Sequence, residues 1–156
     1  MEKIDRISKE IELIKERLVE RVPSHFGMRH IMTAFFGALF FGFTFVLKGL
    51  LFRVGLSLSN YHLFLITITT WLILTAEIYF VGYTRVPDKF RRPFGQFWAK
   101  RIASYYCIAL FTSFLLLSVY GMTEIAGTPH NVLKLVVAVS FPAAIGAAVA
   151  DLLGKY

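Results

Sequence analysis

Glu77 stands inside an almost wholly apolar run, ITITTWLILTAEIYFVGYTR, residues 66–85. Glutamate is short and reaches a membrane surface poorly. Ionised and facing lipid, it costs at least several kcal/mol. Its presence therefore implies a proton, a pairing partner or adjacent water. Asn60, Thr67, Thr70, Glu77 and Thr84 follow one another at offsets of seven, three, seven and seven, which places them on one face of a helix in a bundle. Such a polar stripe suits either of two tasks. It could line an aqueous path in which Glu77 attracts cations, or it could supply interhelical hydrogen bonds, since threonine readily bonds backbone or a neighbouring helix.

A second acid, Asp151, lies near the end of the last apolar run, on a face shared with Ser140, Ala144, Ala147 and Gly154. It is expected at the membrane interface, solvated or capping a helix, or else paired with a basic residue of the segment before the third run. We group it with Glu77, Thr70, Thr67 and Asn60 as candidate ion-path residues. The four histidines, His25, His30, His62 and His130, fall at run ends or in links, and no pair has the spacing of a helical metal site. His25 and His30 could respond to pH or be spectators. The one cysteine, Cys107, sits in an apolar run and is expected to be a small packing residue. No serine elbow, phosphate loop or paired catalytic carboxylate is visible, so an enzyme is not expected, and neither a metal nor another cofactor is implied.

The elements that must position these groups follow from composition. Of 156 residues, 56% are hydrophobic and 16 are phenylalanine, with a mean hydropathy of +0.62; a soluble domain is about 45–50% apolar. Four runs are long enough to cross a bilayer as helices: 30–52, 61–83, 102–122 and 132–154. The expected fold is thus an all-α membrane protein, with a four-helix transmembrane domain over 30–154 preceded by a separate segment, 1–22. Small residues in the first run (Ala34, Ala38, Gly42) and the last (Ala143 with Ala147, Ala144 with Ala148, Gly146 with Ala150) suit close helix packing. Pro142 is expected to kink the last helix or free a carbonyl one turn earlier.

The net charge of +7 is best read against the membrane and not as a nucleic-acid signal, because the bases flank apolar runs. The link between the second and third runs carries Arg85, Lys89, Arg91, Arg92, Lys100 and Arg101 against one acid, Asp88. The opposite side carries Arg53, with Lys48 and Lys134 near the run ends. The positive-inside rule then places both termini and this middle link in the cytoplasm of a multi-pass cell-membrane protein. Arg91, Arg92, Trp98, Lys100 and Arg101 read as a lipid-facing belt of basic and aromatic residues, able to meet anionic headgroups. A short interfacial helix there would begin after Pro93.

Residues 1–22 lack the basic start and apolar core of a secretory signal. Ile4, Ile7, Ile11, Ile14 and Leu18 recur at alternating spacings of three and four, a heptad seam, with six acids and six bases balancing around it. Isoleucine at both seam positions leans towards more than two strands. The segment is therefore a candidate cytoplasmic coiled coil for a homo-oligomer, or an amphipathic helix that packs on the protein or the membrane surface.

The stretches AFFGALFFGFTFV in the first run and SFPAAIGAAVADLL in the last resemble motifs of a prokaryotic family of integral membrane proteins with no assigned function. The resemblance implies a membrane protein and transfers no functional residue. From the residues, the favoured expectation is a homo-oligomer of more than two subunits that forms a cation-conducting path, an ion channel, with Glu77 at its centre. The alternatives are a non-conducting membrane scaffold or assembly protein whose polar stripe is structural, and a small proton-coupled transporter.

Overall fold

The computed structural model of the chain describes residues 27–83 and 94–153. The candidate heptad Ile4, Ile7, Ile11, Ile14 and Leu18, together with Arg91 and Arg92, lies outside them. The described residues are helical almost throughout, and four helices are long and apolar enough to cross a membrane. In lipid each backbone N–H and C=O must be satisfied within its own segment, which long apolar helices do.

Helix α1 covers Met28–Leu47 and α2 covers Leu50–Ser57. The first apolar run was expected to be one span over 30–52. It breaks instead at Gly49, whose φ of 63° is left-handed and suits a residue without Cβ. Twenty residues of α1 already reach about 30 Å, so the turn comes where the bilayer ends. Helix α3, Asn60–Glu77, continues into a π-helical turn, Ile78–Gly82. Helix α4, Phe94–Val119, starts about two turns earlier than the expected Ile102. It begins directly after Pro93, and the rings of Phe94 and Phe97 hold its first turns against Tyr79 and Tyr83, with centroids 5.0–5.7 Å apart. After the short α5, Met122–Ala126, helix α6 runs over Pro129–Leu153. Proline at its first position needs no N–H partner, and the Thr128 hydroxyl accepts the Asn131 N–H as a cap. Helix α6 passes through Pro142 without a break in its assignment, so the expected kink does not divide it.

Helix α6 is the centre of the molecule and packs against α1, α2, α3 and α4. Small residues make this possible. Ala143, Ala144, Ala147 and Ala148 are buried with Ala34 and Ala38 of α1. At the α1–α6 crossing the two backbones touch. A Cβ on Gly37 would lie 2.3 Å from the Gly146 carbonyl oxygen, and one on Gly146 would lie 2.6 Å from that of Gly37. A second, smaller cluster at the opposite end joins Val46, Leu116, Leu117, Leu135 and Val139. Large apolar side chains such as Phe36, Phe40, Phe64, Trp71, Phe80 and Phe111 point outward. That is the arrangement expected when the surrounding solvent is hydrocarbon, and the chain is an integral membrane protein.

Candidate functional site

Four buried side chains converge where α1 begins, α6 finishes and α4 enters the bundle. His30 lies in the first turn of α1, Arg101 and Tyr105 stand one turn apart on α4, and Asp151 lies in the last turn of α6. All four are nearly inaccessible, with Asp151 2% exposed and Arg101 3%. The carboxylate uses both oxygens. Oδ1 lies 2.6 Å from His30 Nδ1, and Oδ2 accepts the Tyr105 hydroxyl at 2.5 Å. Arg101 Nη1 lies 3.6 Å from Oδ2 and donates to the Tyr105 hydroxyl oxygen at 3.3 Å. The guanidinium also lies over the Phe97 ring, 4.3 Å from its centre. A buried carboxylate is tolerated only when paired and hydrogen-bonded, and this one has both kinds of partner.

This geometry corrects two expectations. Asp151 is not solvated at the interface; it is sealed in the bundle and paired with Arg101, a base from the segment read as the middle link. Arg101 does not face lipid with Lys100, which is exposed. The helical period separates them: consecutive residues point about 100° apart, and Arg101 shares the inward face with Ile102 and Tyr105. Trp98, assigned to the same belt, is half-buried and ties α4 to α3 by donating from Nε1 to the Thr75 hydroxyl oxygen at 2.9 Å. Neither His30 nor Tyr105 was singled out as a partner of Asp151. Their common membrane depth, inferred from alternating span directions, was the available signal, and the Arg-x-x-x-Tyr spacing at 101 and 105 strengthened it.

Glu77 sits in a different setting. It is the last residue of α3, just before the π-helical turn, and is half-buried. Its Oε2 is enclosed without a hydrogen-bond partner. Among the described residues no hydrogen bond or ion pair joins it to Asp151 or to the residues around that acid. Interruptions of the α-helical ladder of this kind often accompany functional sites.

The expected polar stripe of α3 divides. Asn60 is exposed, Thr67 is half-buried and Thr70 is fully buried. The inward face of α3 follows Thr70, Leu74 and Ile78, at intervals of four, against the alanines of α6. A straight helix drifts by about 20° for every seven residues, so positions seven apart do not stay on one face. Thr67 and Thr70 donate to the carbonyls of Leu63 and Ile66, at 3.0 and 2.7 Å, and the Tyr106 hydroxyl approaches Thr67 at 3.4 Å. The five candidate path residues are therefore not brought onto one surface of the single chain.

Comparison with curated proteins and with solved structures finds no match. The family model DUF2391, described as "Putative integral membrane protein", matches residues 8–153. With nearly the whole chain matched and four membrane-length helices in the fold, the protein belongs to this family of integral membrane proteins.

Proposed function

We propose that this protein is a homo-oligomeric ion-translocating protein in which Glu77 is the site that a cation or proton occupies as it crosses. The observation that carries this reading is the enclosed Glu77 Oε2 without a partner, on the helix that its own chain covers least. A carboxylate oxygen in an apolar bundle is stabilised by a proton, a cation or water. A path formed where α3 meets a neighbouring subunit supplies all three. In this arrangement Thr67 and Asn60, on the less buried sides of α3, flank the path, and Thr70 secures the helix. The bases near the end shared by His30 and Asp151 place that end in the cytoplasm, beside anionic headgroups.

One observation favours a non-conducting scaffold instead: the hydroxyls of Thr67, Thr70 and Thr75 are all directed to carbonyls of their own helix. The two readings separate in liposomes containing the purified full chain. Cation uptake in wild type that is lost or changed in selectivity in Glu77→Gln supports the ion path. Uptake unaffected by the substitution removes Glu77 from the path. Absence of uptake for protons and for several monovalent and divalent cations, with the protein folded, favours the scaffold.

A further inference from the structure

The cluster around Asp151 holds two bases for one carboxylate. With Arg101 always charged and Asp151 ionised, the site is neutral only while His30 is neutral. The 2.6 Å contact is then an Nδ1–H donated to Oδ1, which leaves Nε2 as the nitrogen that takes the next proton. Imidazole is the side chain whose charge changes in the range of about pH 5 to 8. From these geometric facts we propose that the His30–Asp151–Tyr105–Arg101 cluster is a proton-binding site, with His30 the acceptor, and that its occupancy sets how tightly α4 is held to α6.

The proposal follows from where each partner is anchored. His30 links α1 to α6, whereas Arg101 and Tyr105 link α4 to α6. The groups facing His30 are Asp151 from α6 and, across that carboxylate, Arg101 and Tyr105 from α4; α3 brings no charged side chain into contact among the described residues. A proton from water that binds Nε2 makes His30 an imidazolium without breaking a covalent bond. The carboxylate then faces two full positive charges in a poorly solvated site. The imidazolium is already at 2.6 Å, and the guanidinium is the more distant at 3.6 Å. Arg101 is therefore the group that gives way, and the α4–α6 contact loosens while α1–α6 tightens. The first turn of α1 and the last turn of α6 are also where a proton from the aqueous side has the shortest way in. This inference is independent of Glu77 and of ion flux.

The test uses the full chain in lipid nanodiscs and two measurements. In the first, His25→Gln, His62→Gln and His130→Gln leave His30 as the sole source of imidazole nitrogen signals, which are followed from pH 8 to pH 5. In the second, Ala103→Cys on α4 and Leu153→Cys on α6, both exposed positions, carry spin labels in a Cys107→Ala background. The expected result is a His30 signal that passes from neutral to doubly protonated imidazole over this range, with a longer mean label separation at the acidic end. Asp151→Asn and His30→Gln should each abolish the pH response of that separation. The asparagine can still accept the Tyr105 hydroxyl, so at least one variant retains a partner for the α4 side. A His30 signal constant over the whole range overturns the proposal. So does a label separation unchanged by pH, or one that changes equally in Asp151→Asn.

Discussion

Asp151 and Glu77 are both acids placed within membrane-crossing helices, and their surroundings are opposite. Asp151 is on α6, where 61% of the apolar window is buried inside the chain; Glu77 is on α3, where 17% is. Around Asp151 three helices deliver a hydroxyl, an imidazole and a guanidinium. Around Glu77 one carboxylate oxygen is enclosed and has no donor. The difference teaches that a carboxylate in a hydrophobic run has no single meaning. Its role depends on how much of its helix the rest of the chain covers. On the central helix the acid is fastened into the bundle, whereas on the peripheral helix it is left for a ligand or another subunit.

The largest effect that would break this comparison is expected from Asp151→Leu. It leaves Arg101 as a buried charge without its carboxylate, and removing one member of a buried pair costs about 3–5 kcal/mol. Thermal unfolding in detergent, followed by near-ultraviolet absorbance, should show a large loss of stability. A loss comparable to that of a surface substitution would mean that Asp151 does not fasten the three helices.

Gly146→Ala probes the frame that positions Asp151. The added methyl would meet the Gly37 carbonyl oxygen at 2.6 Å and Phe41 Cβ at 2.7 Å, so α1 and α6 must separate. Overpacking of this kind costs about 1–3 kcal/mol. The same unfolding assay measures it, and a neutral outcome would show that the crossing is looser than the contact implies.

Glu77→Leu is expected to act in the other direction. It removes an enclosed oxygen that gains nothing from the fold, and relief of an unsatisfied polar group is worth about 1–3 kcal/mol. The dispersed monomer should unfold at the same temperature as wild type or higher, even as cation uptake is lost. Destabilisation would place a partner on Glu77 within the chain. The smallest effect is the coupling between the two sites. In a double-mutant cycle with Asp151→Asn and Glu77→Gln, stability changes should add to within about 0.5 kcal/mol, and a larger coupling would join the two acids in one network.

How far the site was legible varies residue by residue. Glu77 and Asp151 stood out at once, because a charge in an apolar run is costly wherever the run folds. The partners of Asp151 did not stand out. Arg101 looked like one more base among many flanking a span, and His30 like a histidine at a run end. Tyr105 was one of seven tyrosines. The threonines of α3 were overread as one stripe, since a spacing of seven suggests a common face that a straight helix does not preserve. Gly49 was hidden within a run whose hydropathy continues on both sides of it. Hydropathy sums composition along the chain and does not register a left-handed residue.

By itself the sequence determined that this chain is a membrane protein with four crossing helices. Burial of backbone polar groups in lipid is a local requirement, and length and hydropathy answer it segment by segment. Only the tertiary structure decided that Arg101 turns inward while Lys100 turns out, and that Thr70 is buried. It alone also paired Asp151 with a histidine 121 residues away and a tyrosine 46 residues away. Those outcomes depend on which faces of α1, α3 and α4 fit against the alanines and glycine of α6. That fit is a matter of shape between helices distant in sequence, and no local pattern encodes it.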